Sequence, residues 1–341
     1  MRVLYLCPLG KQHQMWRLQA APPDVHVVIL RPQETPHEVV RAHLRNVDVL
    51  ITERSALVDR ALIEASPQLK LIQRIGAFHH DIDLEAARER GIAVCVRPIY
   101  GAIAVAEHVI LQILALLRRA MPLQAVLRVP PETFLPGGPR RTDEDVFAFN
   151  WSKQTHIALL YNKTVGILGF GEIGAELAKR LQPWQCRVLY HKRHPLPTHL
   201  EAELGVEFRD AEALLRESDI VVCLLPYSAE TDLWLNAERL ALMKRSAWLV
   251  EAGSGSVVDE RAVADAVRNG HLAGASFDTY EWEPISSDNP LLRLVEQEPS
   301  ANVFLLPHVG SCNDIAENEF AAFYENVVRL MRGEPLVGRV A

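Results

Sequence analysis

The segment KTVGILGFGEIGAELAKRLQPWQCRVLYHKR, Lys163–Arg193, constrains the fold more than any other. Gly169, Gly171 and Gly174 stand as G-x-G-x-x-G directly after an apolar run, Val165–Leu168. They open a stretch whose apolar side is Ile173, Leu177 and Leu181, and a second strand-like run, Arg187–Tyr190, follows. In a strand–turn–helix–strand unit of this size the first glycine permits the tight turn. The second lets a pyrophosphate approach the backbone, and the third lets helix and strand pack closely. The N–H groups of the helix start then face the anion. The unit predicts a parallel sheet carrying a dinucleotide on Gly169, Gly171, Glu172, Ile173 and Gly174.

The same grammar runs through the rest of the chain. RVLYL, VHVVIL, VDVLI, LKLIQRI and IAVCV read as strands in the first part, with helices over Pro36–Leu44 and Asp83–Arg90 between them. CRVLYH, DIVVCLLP, AWLVEA, LAGASFD and NVFLLP continue the series after the glycine motif, and a last helix is expected over about Ile315–Arg332. Alternating strands and helices imply parallel sheets covered on both faces. At 341 residues the chain exceeds the roughly 250–300 at which single cores stop growing, so two domains are expected. Ala102–Arg119 is the longest helical stretch and is apolar nearly all round, as a helix buried between layers or between subunits would be. From Met121 to Tyr161 Pro130, Pro131, Pro136, Gly137, Gly138 and Pro139 break the pattern. This stretch reads as a long loop, functional or reaching a second subunit.

The chain carries 36 basic and 43 acidic residues, a net charge of −7 without a long basic run. That argues against nucleic acid or an anionic membrane as partner. Cys7, Cys95, Cys186, Cys223 and Cys312 are odd in number and scattered, which reads as reduced thiols in a cytoplasmic protein rather than a disulfide or metal framework. MRVLYLCPLG is too short for a signal sequence, and no run approaches the ~20 apolar residues of a membrane span.

At the end of the second strand of the glycine unit, an acidic residue would hold the ribose 2′-hydroxyl of NAD. This chain has Tyr190, His191, Lys192, Arg193 and His194 there. Lys192 and Arg193 suit a 2′-phosphate, so NADP(H) is the preferred cofactor, with NAD(H) the alternative. Ligands of open α/β sheets bind beyond the carboxyl ends of the strands. Leu225 and Pro226, then Glu251, Ala252 and Gly253, then Asp278, and finally His308 and Gly310 follow the strands of this half. His308 at one strand end and Glu283 in the loop after another can meet, a candidate general acid/base pair; Glu281 reads as a solvated loop carboxylate.

VGILGFGEIG, LLPYSAETDLWLNAERLALMKRSAWLV, VVDERAVADAVRNGHLAGASFDTYEWEP, NPLL and VFLLPHVG resemble the D-isomer-specific 2-hydroxyacid dehydrogenases. LKLIQRIGAFHHDIDLEAARERG and GIAVCVRPIYGAIAVAEHVILQILALLRR do so in the first half. The resemblance implies two Rossmann-like doubly wound parallel-sheet domains with a cleft between them and a homodimer built partly on the long helix. A flavodoxin-like substrate domain would comprise residues 1–101 and 310–341, and the dinucleotide domain residues 102–309. It implies His308 as the acid/base, Glu283 as the carboxylate holding it, and Asp278 beside the nicotinamide. Val105 would be a further dinucleotide contact, and the backbone of Gly76, Ala77 and Phe78 would meet the substrate carboxylate.

One position departs from the family. Aligned on VVDE, the segment VEAGSGSVVDE puts Glu251 where the family has asparagine and Ser254 where it has its essential arginine. A guanidinium there would grip a 2-oxo acid carboxylate and polarise its carbonyl, which a neutral hydroxyl cannot do. The principal reading is an NAD(P)-dependent oxidoreductase of a 2-hydroxy or 2-oxo acid or related carbonyl compound, with Ser254 in the catalytic loop. A substrate acid could be held by Arg97 or Arg74, with His79 and His80 close in sequence, although the plain reading of each is a surface residue. The alternative is a dinucleotide-binding protein, weak or inactive in catalysis, that senses redox state or serves as a scaffold.

Overall fold

The computed structural model describes residues 1–53, 57–314 and 319–341. The chain divides into two compact units, Met1–Ile103 with Asn313–Ala341, and Ala104–Cys312. The division falls within one helix, Tyr100–Leu117.

The first unit is a five-stranded parallel sheet of β1 (Arg2–Leu6), β2 (His26–Leu30), β3 (Val49–Glu53), β4 (Leu71–Ile75) and β5 (Ala93–Arg97), in the order β2-β1-β3-β4-β5. This is a doubly wound order, with apolar clusters on both faces of the sheet. Strands β3 and β4 are buried throughout, which is why they read as continuous apolar runs. The chain end closes the β5 edge: Val96 donates to Gly338 at 2.8 Å and Val340 to Val94 at 2.8 Å. Of the last helix expected over Ile315–Arg332, residues 315–318 lie outside the described residues. The rest forms two helices, Glu319–Ala322 and Glu325–Arg332.

The second unit is a seven-stranded parallel sheet of β6 (Thr164–Leu168), β7 (Arg187–His191), β8 (Val206–Phe208), β9 (Ile220–Cys223), β10 (Ala247–Glu251), β11 (Leu272–Phe277) and β12 (Val303–Leu305). Its order is β12-β11-β10-β9-β6-β7-β8. The chain winds one way from β6 to β8 and returns to β9 on the other side of β6. The switch point, where such sheets bind ligands, is therefore at the carboxyl ends of β6 and β9.

Two expectations need correction. The stretch from Met121 begins as a helix, Ala120–Val126, and carries a short 3-10 turn at Pro131–Thr133 before the irregular part. Pro122 does not break that helix because it stands in the first turn, where no backbone N–H is needed. The long helix, Tyr100–Leu117, is by length and composition apolar enough to cross a membrane, the one such helix among the described residues, with 39% of it buried. Its inner face instead packs Val109, Ile113 and Leu116 into the protein, and buried Gln112 donates to Ser276 Oγ at 3.0 Å.

Candidate active site

The glycine turn is fixed by its surroundings. Gly169 has φ +87°, and a Cβ there would lie 2.6 Å from the Leu224 carbonyl oxygen, so β6 and β9 meet at a contact only glycine permits. A Cβ on Gly174 would lie 3.0 Å from the Phe170 ring, the close packing of helix Glu172–Leu181 on β6. A Cβ on Gly171 would meet nothing within 4 Å. That side is open to an anion at the start of the helix, and the turn fits a dinucleotide pyrophosphate. Glu172 is buried and Ile173 half-buried. Val105 is half-buried, one turn before His108 on its helix.

These contacts make a direct test. Gly169→Ala forces a side chain into a left-handed backbone and a peptide, at a cost of at least ~1–2 kcal/mol, and lowers the Tm. Gly171→Ala leaves the Tm unchanged but weakens dinucleotide binding at least ~10-fold, ~1.4 kcal/mol. Equal Tm losses for the two variants, in thermal unfolding run alongside a fluorescence titration, would contradict the assignment.

The turn is tied to the end of β7. Gly169 and Phe170 donate to the His191 carbonyl at 3.0 and 3.2 Å, which brings the strand end carrying Lys192 and Arg193 next to the cradle. His191 itself is engaged, with Nδ1 3.0 Å from the Arg209 carbonyl. Lys192 is half-buried and Arg193 exposed.

The loop after β10 closes on the loop after β9. Ser254 N–H donates to the Leu225 carbonyl at 3.1 Å, and Ser254 Oγ accepts from Tyr227 N–H at 3.1 Å. A Cβ on Gly253 would lie 2.8 Å from the Leu224 carbonyl carbon, and one on Gly255 2.0 Å from that of Tyr280. Ala252 donates to Cys223 at 3.2 Å, and Pro226 accepts from the Thr231 hydroxyl at 2.8 Å. Small residues in this stretch thus serve interlocking backbones as well as any ligand.

Tyr280 carries the chain of contacts onward. Its N–H donates to Glu283 Oε1 at 3.1 Å and its hydroxyl to the Leu306 carbonyl at 2.9 Å, two residues before His308. Glu283 Oε2 lies 2.7 Å from His308 Nδ1. With Nδ1 engaged, Nε2 is the nitrogen left for a reactant, on a side chain 55% exposed. His308 has φ +54°, an uncommon backbone for a residue other than glycine, and such positions cluster at functional sites.

Asp278, expected beside the nicotinamide, is 3% exposed and commits both oxygens to the turn after His308. It accepts from Val309 N–H at 3.0 Å and Gly310 N–H at 2.8 Å. A Cβ on Gly310 would lie 2.7 Å from this carboxylate. His108 Nε2 approaches Asp278 Oδ1 at 3.3 Å without hydrogen-bond alignment. His108 was not singled out in the sequence; its place one helical turn after Val105 was the available signal. Glu251, expected only as a residue at a strand end, is wholly buried, and desolvation pushes its carboxyl up to about 8.

In the other unit Gly76, at φ +128°, donates to the Arg97 carbonyl at 2.8 Å. Ala77 and Phe78 follow half-buried, with the Phe78 ring edge-on to His80 at 5.8 Å and His79 Nδ1 3.4 Å from the Ala77 carbonyl. The Arg97 guanidinium pairs with Glu325 at 2.6 Å. Arg74 is not a surface residue: it is fully buried and pairs with Asp81 at 2.7 Å, because its position within buried β4 turns the side chain inside. That cation serves the strand and loop rather than a substrate.

Residues 138–310 match the family model described as D-isomer specific 2-hydroxyacid dehydrogenase, NAD binding domain. The chain is 35% identical over 303 residues to a glyoxylate reductase of Thermococcus kodakarensis, covering 89% of this chain and 85% of that protein. The crystal structure of PH0520 protein from Pyrococcus horikoshii OT3 is similar with a TM-score of 0.58 at 28% identity, covering 99% of this chain and 94% of that one. A glyoxylate reductase structure from Paecilomyes thermophila gives a TM-score of 0.52 at 26% identity, covering 100% and 98%. The chain belongs to the D-isomer specific 2-hydroxyacid dehydrogenase family, nicotinamide-dependent oxidoreductases of 2-hydroxy and 2-oxo acids.

Proposed function

We propose that this enzyme reduces a 2-oxo acid or a related, less charged carbonyl compound, with NADPH preferred over NADH and His308 as the acid. Ala104–Cys312 is then the dinucleotide-binding domain and Met1–Ile103 with Asn313–Ala341 the substrate domain. The observation that carries the reading is the Glu283–His308 pair at 2.7 Å, half-exposed and joined through Tyr280 to the Ser254 turn. A protein that only binds a dinucleotide has no use for such a pair.

When bound, a reduced nicotinamide supplies a hydride to the carbonyl carbon. The residues of the chain do the rest. His308 Nε2 delivers a proton to the carbonyl oxygen while Glu283 holds Nδ1 and stabilises the imidazolium. Asp278 fixes the turn that follows His308, and Ser254 offers a neutral hydroxyl where a carboxylate clamp would stand. The preference for NADPH rests on Lys192 and Arg193 after β7, where residues 191–194 hold no carboxylate to repel a 2′-phosphate.

The test is a panel of glyoxylate, hydroxypyruvate and uncharged carbonyl compounds with each cofactor. The expected result is turnover with higher kcat/KM for NADPH and for substrates without a free carboxylate. Failure to oxidise either cofactor with any of them, despite binding, would return the alternative of a non-catalytic dinucleotide binder.

The enzyme is further read as a cytoplasmic homodimer. Leu111, Leu127, Phe147 and Phe149 are exposed apolar side chains on the long helix and the stretch after it, suited to cover by a second copy. A monomer in sedimentation would count against that pairing.

A further inference from the structure

We propose that Glu251 is a positioning residue: its buried carboxyl grips the Gly253 N–H and so fixes the turn that presents Ser254. Glu251 ends β10, a central strand, in register with Cys223 of β9 and Phe277 of β11, and is 0% exposed. Its Oε1 accepts from Gly253 N–H at 2.7 Å and from the Thr279 hydroxyl at 3.3 Å. One oxygen thereby ties the turn after β10 to the segment after β11. At Gly253 the backbone is already pressed against Leu224 and Leu225, so its N–H has little freedom to find another acceptor. Removing the carboxyl would leave that donor unpaired.

Among the described residues the other oxygen, Oε2, accepts no hydrogen bond of good geometry, with only the weakly donating Cys223 thiol acting on it. The groups acting on the carboxyl are the Cys223 thiol on β9, the Gly253 N–H, the Thr279 hydroxyl and, through space, the Glu260 carboxyl on the following helix; none is a cation. Burial pushes the Cys223 thiol up, and that of Glu260 likewise raises its carboxyl. An ionised Glu251 would be an uncompensated buried charge, so the side chain serves as a neutral acid. Burial moving this carboxyl up to about 8 agrees with that. Above that pH the ionised group gains by reaching water, and reaching it pulls the turn open.

Glu251→Gln, a neutral group of the same shape, and Glu251→Ala provide the test. In the unfolded chain the carboxyl ionises near 4.5 and in the folded protein near 8. Between those values the folded state holds the extra proton, so the carboxyl's stabilisation is lost as pH rises through the interval and is flat above it. The Tm of E251Q minus that of wild type should therefore widen from pH 4.5 to 8 and then stay constant, other groups cancelling in the difference. In E251A, amide exchange across residues 252–256 should speed up at fixed pH. Its KM for a carbonyl substrate should rise with a fall in kcat, and E251Q should rescue both near neutral pH. The kinetic arm rests on the proposed reaction; the unfolding and exchange arms do not, so the two can fail separately. A Tm difference independent of pH, or wild-type exchange in E251A, would overturn the proposal. Should E251A not fold, the pH series on E251Q decides.

Discussion

His308→Asn lowers kcat by about 10²–10⁴-fold, the contribution typical of a positioned general acid, and leaves NADPH affinity unchanged. Asparagine is the replacement of choice because it tolerates the left-handed backbone found at this position, φ +54°, better than most residues do. The fold and the Val309 and Gly310 bonds to Asp278 should survive the change. The dinucleotide cradle lies at the end of β6, on contacts His308 does not make, so its affinity reports that the protein is intact. Steady-state kinetics with a fluorescence titration measure both quantities. Undiminished kcat would remove His308 from the chemistry, whereas parallel loss of binding would make its role structural.

The sequence carried the fold class because parallel sheets write themselves locally: buried strands are continuous apolar runs, and the glycine spacing has a single geometric use at a strand–helix turn. The Glu283–His308 contact was equally open to reading, since both residues follow strands whose ends share one side of the sheet. What escaped was decided by neighbours distant in the chain. Glu251 reads as one more residue at a strand end, yet its surroundings are Cys223 on β9 and Thr279 in the segment after β11, which no spacing along the chain reveals. Asp278 is similar: its two backbone donors lie 31 and 32 residues away. Arg74 is a different case: its partner Asp81 is only seven residues on, but the burial of the whole of β4, which turns the cation inward, is set by the sheet around it.

Ser254→Arg should raise kcat/KM for glyoxylate about 10²–10³-fold and leave uncharged carbonyl compounds no better than before. In this turn position 254 alone has room for a long side chain. A Cβ at Gly253 or Gly255 runs into the backbone of Leu224 or Tyr280, whereas Ser254 is half-exposed. The change forfeits the bond from Tyr227 N–H, a loss of about 1 kcal/mol at an exposed residue that water can replace. Against this, a charge-assisted donor aimed at the reacting carboxylate and carbonyl supplies ~2.7–4 kcal/mol in the transition state, so the gain dominates. A neutral Glu251 does not compete for the new guanidinium, but an ionised one would, so the gain should shrink above about pH 8. Comparison of glyoxylate with an uncharged analogue, in wild type and variant across that pH, measures all of this. If the variant gains on both substrates alike, the guanidinium is acting on the carbonyl alone and the serine is no filter against carboxylates. If it gains on neither, the site does not hold its substrate from this turn, and the reason for a serine here lies elsewhere in the reaction.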